Sequence, residues 1–273
     1  MDSKGTGPNG ETAITLLGAE NLTMRFGGLV AVDHFSLELH PGDLVGLIGP
    51  NGAGKTTVFN MISGSLRPTQ GKIFFQGELI TGLKPNAITR RGIARTFQNI
   101  RLFRDLKVIE NVMISYHGNL RSSFMGAVFG SPLYTREEKE MTAGSLELLR
   151  RVRLEELAQV QAGALSYGQQ RKLEVARALA TKPRLLLLDE PAAGMNPQET
   201  EELMEFILKV KEDFALTMLL IEHDMRVVMG ICQRITVLDY GVEIAEGTPQ
   251  EIQNNPRVIA AYLGEGEEGE SVA

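Results

Sequence analysis

The stretch Leu44-Val45-Gly46-Leu47-Ile48-Gly49-Pro50-Asn51-Gly52-Ala53-Gly54-Lys55-Thr56-Thr57 decides how this chain is read. A short apolar run of strand length leads into a loop that meets every fixed position of the pattern G-x-x-x-x-G-K-[ST]. Residues 56–62 can open a helix, so the order strand, glycine loop, helix is satisfied. Glycines allow successive backbone N–H groups to turn inward around phosphate oxygens, and a helix N-terminus adds partial positive charge. Residues 49–57 are therefore the candidate phosphate cradle. Lys55 is expected to reach the β- and γ-phosphates of a nucleotide, and Thr56 to ligate Mg²⁺ through its hydroxyl.

Working outward, residues 185–188, 218–221 and 235–238 are further continuous apolar runs, the pattern of strands covered on both faces by helices. Nearer the N-terminus, the runs 22–25, 35–39 and 73–75 are separated by Gly, Pro and Asp turns and read as short antiparallel strands. Asp239-Tyr240-Gly241 reads as a hairpin connection. The predicted architecture is α/β: a P-loop NTPase core with an N-terminal antiparallel β subdomain and an inserted α-helical subdomain. From about 106 to 160 the chain carries helical spacing and no convincing strand. The expected division is a tail over 1–13, a nucleotide-binding core over 14–98 and 166–263, a helical subdomain over 99–165, and a frayed acidic tail over 264–273.

Composition bounds the function. At 273 residues, with 43% hydrophobic and 23% charged residues, the chain has the usage of an ordinary globular protein. No apolar run approaches the roughly 18 to 20 residues that span a bilayer. Most of the net charge of −6 resides in four glutamates of residues 264–273, which leaves a nearly neutral body without a dense Lys/Arg block. Nucleic acid is accordingly not an expected partner. The single cysteine, Cys232, cannot close an intrachain disulfide and reads as a small buried hydrophobe. The apolar segment 124–129 reads as a helix face or buried loop, with a docking surface as the alternative.

Two further pieces complete a candidate site. Residues 185–188 run into Asp189-Glu190, which places two carboxylates at the carboxyl edge of a parallel sheet, where ligands of open α/β folds sit. Asp189 is expected to hold Mg²⁺, and Glu190 to polarise the attacking water as general base. Taken alone, such a run is an ordinary strand end; the glycine loop gives it chemical meaning. His223 follows the run 218–221 after a single Glu222, which puts an imidazole at another strand end, near a γ-phosphate. His34, His40 and His117 read as surface residues.

Between these pieces lies Leu165-Ser166-Tyr167-Gly168-Gln169-Gln170. This sextet resembles the LSGGQ signature of ATP-binding cassette (ABC) ATPases, with Tyr167 in place of the first glycine. The resemblance spans about 17–263 and implies ATP with Mg²⁺ as the bound group. It implies Phe26 as an adenine-stacking aromatic, Gln98 as the glutamine that links the metal and water to the helical insertion, and His223 as the switch histidine. Cassettes of this family pair head to tail, so Ser166, Gly168 and Gln169 are expected to complete the ATP site of a second cassette, either the same chain or a sister subunit. Asn196 stands where many members carry an aspartate.

The segments 25–32, 95–99, 192–197 and 258–264, and an insertion over about 117–142, resemble the larger ATPase subunit of bacterial branched-chain amino-acid importers. That resemblance implies transmembrane permease subunits as partners, an extracytoplasmic solute-binding protein as an indirect one, and a peripheral location on the cytoplasmic face of the plasma membrane. A soluble ABC-type ATPase, or a transporter ATPase for another substrate, is the alternative.

Overall fold

A computed structural model describes residues 15–116 and 132–268. The residues 1–13, the apolar segment 124–129, His117 and residues 269–273 lie outside the described residues. In chain order the elements are β1 (Leu17–Phe26), β2 (Leu29–Leu39), β3 (Leu44–Ile48), α1 (Lys55–Ile62), β4 (Gln70–Phe75), β5 (Glu78–Leu79), α2 (Pro85–Arg90), β6 (Ile93–Arg95), α3 (Val108–Tyr116) and α4 (Pro132–Arg151). They continue with α5 (Tyr167–Leu179), β7 (Leu185–Asp189), α6 (Pro197–Asp213), β8 (Thr217–Ile221), α7 (Met225–Ile231), β9 (Arg234–Asp239), β10 (Val242–Gly247), α8 (Pro249–Gln253) and α9 (Pro256–Glu268). Contacts divide the chain into two compact units, one built from Met1–Pro85 with Leu216–Ala273, the other from Asn86–Ala215.

The first unit holds an antiparallel sheet in the order β2-β1-β4-β5, as the turn-punctuated N-terminal runs predicted. It also holds the strands β10-β9-β3-β8, in which β3 runs parallel to both β8 and β9 and the β9–β10 hairpin is antiparallel. Strands β3 and β8 are buried at every position, which explains why their sequences are unbroken apolar runs rather than alternating ones. Gly46 in the middle of β3 leaves room for Val228 and Cys232, each of which would lie 3.1 Å from a Cβ at that position.

In the second unit β6 and β7 pair in parallel, with Arg95 opposite Leu187. Helix α5 buries Leu173, Val175, Ala176 and Leu179, a face of helical period. Helix α6 begins at an Asn196 cap whose side chain accepts from the Glu199 N–H at 3.0 Å, while Glu199 accepts from the Asn196 N–H at 3.0 Å. Pro197 takes the first helical position, where a missing N–H costs nothing. Helix α9 runs past Gly264 to Glu268.

Candidate functional site

In the first unit the glycine loop joins β3 to α1. Gly49 has φ 146°, and a Cβ there would come within 2.0 Å of the Leu238 carbonyl oxygen. Gly54 has φ 102° and caps α1 in the left-handed region, where a Cβ would meet the Ala31 carbonyl oxygen at 2.5 Å. Both positions therefore exclude any side chain, and that close approach seats the loop between the β1–β2 hairpin and the β9–β10 hairpin. Gly241 donates to the Ala53 carbonyl at 3.0 Å and accepts from the Asp33 N–H at 2.8 Å, which pins the arrangement.

No side chain caps the N-terminus of α1, so its leading amides and the positive end of its dipole face the loop. The Lys55 ammonium is buried and donates to the carbonyls of Gly49 at 2.5 Å and Pro50 at 2.7 Å. Thr56 is exposed on the first turn. Phe26, at the end of β1 opposite Leu29, is 46% exposed on the hairpin that abuts Gly54. His223 is exposed just beyond β8. The buried Glu222 carboxylate accepts from the backbone N–H groups of His223 at 3.2 Å and Asp224 at 3.4 Å, and so shapes the turn that presents the imidazole. Glu222 was missed in the sequence as a functional support, although an acid directly after an apolar strand was a visible signal.

In the second unit the β6–β7 register brings the remaining residues together. Because Arg95 lies opposite Leu187, Gln98 and Glu190, each three residues further on, meet beyond the strand ends. The Gln98 side-chain amide donates to Glu190 Oε2 at 2.5 Å. Asp189 is buried and accepts from Arg95 Nη2 at 2.7 Å. Glu190 has φ 46°, a left-handed conformation that L-residues adopt at a cost on the order of 1–2 kcal/mol. Two guanidiniums lie over the Phe97 ring, Arg95 at 5.3 Å and Arg101 at 4.2 Å from its centroid.

Ser166 caps α5 and forms a reciprocal box with Gln169: Ser166 Oγ accepts from the Gln169 N–H at 3.4 Å, and Gln169 Oε1 accepts from the Ser166 N–H at 3.0 Å. Gly168 sits in open space within the first turn. The structure thus gathers Ser166, Gly168 and Gln169 at one helix N-terminus. Under that turn Arg171 is fully buried, where it donates to the carbonyls of Phe97 at 2.8 Å and Gln98 at 3.1 Å and to Glu174 Oε2 at 2.9 Å. Glu174 in turn accepts from the Phe97 N–H at 3.1 Å. Burial pushes the Glu174 carboxyl above its ordinary range, and Arg171 opposes that shift. This pair holds the backbone that carries Gln98, and sequence reading did not find it.

Among the described residues no group of three or more His, Cys, Asp or Glu could hold a metal.

A strand-loop-helix phosphate cradle, an Asp-Glu pair beyond a parallel strand and a capped signature helix together define an ATP-binding cassette. The chain belongs to the ABC transporter family, whose pattern matches residues 32–193. A second match, to the branched-chain amino acid ATP-binding cassette transporter family, covers residues 243–268. The chain is 48% identical over 250 residues to the high-affinity branched-chain amino acid transport ATP-binding protein BraF of Pseudomonas aeruginosa, covering 92% of this chain and 98% of that one. It is 49% identical over 250 residues to LivG of Escherichia coli K12, a protein of the same description, with the same coverage.

Among solved structures, the ADP conformation of an ATP-binding cassette of an ABC transporter superimposes with a TM-score of 0.81 at 32% identity, covering 92% of this chain and 99% of that one. A dimeric bacterial ABC transporter cassette superimposes with a TM-score of 0.71 at 27% identity, covering 85% and 98%.

Proposed function

We propose that this chain is the ATP-binding and ATP-hydrolysing subunit of an importer for branched-chain amino acids. The observation that carries the reading is the branched-chain transporter match at residues 243–268 in a chain 48–49% identical, over 92% of its length, to branched-chain transport ATP-binding proteins.

The site residues then divide the work. The amides of residues 49–57 and the Lys55 ammonium bind the phosphates, and Lys55 exchanges its two loop carbonyls for phosphate oxygens. Phe26 offers its exposed ring to the adenine. Thr56, Asp189 and Gln98 are the oxygen donors that would hold Mg²⁺, which when bound neutralises charge on the β- and γ-phosphate oxygens. Glu190 orients and deprotonates the attacking water, a contribution of about 10²- to 10⁴-fold. Gln98 aims that carboxylate through its side-chain amide. His223 donates a hydrogen bond to charge developing on the γ-phosphate.

Ser166, Gly168 and Gln169 present the N-terminus of α5 to the ATP of a second cassette, a role supported by the dimeric form of a related cassette. The helical block over 99–165 docks on the permease subunits. A cavity of about 250 Å³ beside Phe97, lined by Arg95, Arg101, Glu174, Arg177 and Thr181, supports this because it opens next to the backbone that carries Gln98. No helix among the described residues is long and apolar enough to cross a membrane.

Purification from membranes with identification of the co-purifying subunits tests the assignment. Recovery of permease subunits, with leucine uptake restored to a null strain by the wild-type chain and not by Glu190→Gln, is the expected result. Uptake unaffected by deletion of the gene would contradict it.

A further inference from the structure

The tyrosine that interrupts the signature is tied to the hydrolytic side of the site. Tyr167 is the first residue of α5, and its hydroxyl donates to the Ala193 carbonyl at 3.0 Å. The same oxygen accepts from Arg171 Nη2 at 3.2 Å, and the Arg171 guanidinium lies 5.8 Å from the centroid of the Tyr167 ring. Ala193 is three residues past Glu190 and donates to the Glu190 carbonyl at 3.2 Å, closing a tight turn around the left-handed Glu190. Arg171, for its part, grips the carbonyls of Phe97 and Gln98. A single phenol therefore joins three segments: the signature turn, the turn that holds Glu190 and the strand end that holds Gln98. Glycine, the residue this family's signature carries there, can make none of these bonds.

We infer that Tyr167 is a positioning residue for hydrolysis, which holds the Glu190 turn and, through Arg171, the Gln98 backbone in register with the signature helix. The inference rests on the reading of Glu190 as the hydrolytic base. Its contacts all lie on the hydrolytic side, whereas the phosphate cradle and Phe26 belong to the other unit. Loss of the hydroxyl should therefore lower turnover while leaving ATP capture intact. It removes the donor that holds the Ala193 carbonyl, in an exposed bond, and an acceptor from the buried Arg171 guanidinium, a change that translates into about a tenfold effect on rate.

The test compares steady-state ATP hydrolysis by the full-length chain in complex with its permease for wild type, Tyr167→Phe, Tyr167→Gly and Glu190→Gln. Tyr167→Phe is expected to lower kcat about 5- to 20-fold with KM for ATP within about twofold of wild type, and Tyr167→Gly to lower kcat at least as far. Amide hydrogen exchange over residues 190–196 is expected to accelerate in Tyr167→Phe, a readout that does not depend on turnover. A Tyr167→Phe enzyme with wild-type kcat, or with unchanged exchange over 190–196, overturns the inference. So does a rise in KM at unchanged kcat. If Glu190→Gln hydrolyses like wild type, the underlying reading of the base fails and the inference falls with it; if only the tyrosine variants match wild type, the inference alone fails.

Discussion

Gln98 donates its side-chain amide to the Glu190 carboxylate at 2.5 Å, and the two residues come from segments 92 positions apart in the chain. A hydrogen bond to an ionised group contributes more than a neutral one, on the order of 1.5–3 kcal/mol. The contact binds the Glu190 carboxylate to the segment that carries Gln98, so a displacement of that segment is felt directly at Glu190.

Removal of that amide leaves Glu190 present but unaimed. Gln98→Ala is expected to reduce kcat for ATP hydrolysis about tenfold to a hundredfold with ATP affinity retained. Glu190→Gln should do more, about 10²- to 10⁴-fold, because it removes the proposed base itself. Rapid-quench hydrolysis alongside fluorescent nucleotide titration checks both, and equal effects of the two variants would contradict the assigned roles.

The ammonium of Lys55 already sits inside the loop, held by carbonyls that cannot match the charge of a phosphate oxygen. Lys55→Ala should lower turnover about 10²- to 10³-fold, as loss of an electrostatic contact at the transition state does. Because the same ammonium also bonds the carbonyls of Gly49 and Pro50, the variant should in addition melt a few degrees below wild type. Calorimetry and phosphate release measured on the same preparation test the pair of expectations.

Arg171 and Glu174 form a buried ion pair beneath the signature helix. Arg171→Met leaves a buried carboxyl without its cation and should cost about 3–5 kcal/mol of stability, while Arg171→Met with Glu174→Met should recover a large part of that loss. Burial raises the Glu174 pKa in the folded chain, so between the ordinary and the raised value the folded state holds a proton that the unfolded state has released. Stability from this group is thus complete below the ordinary value and declines as pH rises through the folded one. Without Arg171, which works against the shift, the decline should extend to higher pH. Urea titrations of wild type and Arg171→Met from pH 4 to pH 8 read it out.

Cys232 offers an independent check on the packing of the first unit. Burial raises its thiol to about 12, so at pH 8 it is protonated and inert. Iodoacetamide should leave the native chain unmodified at pH 8 and label it in denaturant. Above about pH 9 the unfolded chain loses this proton while the folded chain keeps it, so wild type should lose stability relative to Cys232→Ala by up to about 1.4 kcal/mol per pH unit. Labelling of the native chain at the rate of a free thiol would show that the face of β3 around Gly46 is open.

Much of this molecule was legible because its determinants are local. The fully buried strands β3, β7 and β8 announce themselves as unbroken apolar runs, the glycine loop carries its own conformational requirement, and Ser166 with Gln169 spells out a helix cap. The Asn196-Pro197 start of α6 is readable in the same way. The question of the missing aspartate at that position becomes one of capping, since the Asn196 side chain is engaged by the Glu199 N–H. What stayed hidden depends on pairing between distant segments. The bonds of Arg95 to Asp189, Gln98 to Glu190 and Tyr167 to Ala193 follow from the β6–β7 register and from the seating of α5, neither of which is encoded in any short window. Arg171 and Glu174, three apart on a helix, have the spacing of a solvated surface pair, and only the burial of that face turns them into a clamp.

Under the proposed function, ATP hydrolysis by this chain needs both Glu190 and the signature of a second cassette. Phosphate release from MgATP, measured per molecule of chain across a hundredfold range of protein concentration, tests it most directly. Specific activity is expected to climb with concentration as cassettes pair, and to be abolished throughout the range by Ser166→Arg. Activity independent of concentration and indifferent to Ser166→Arg would contradict it.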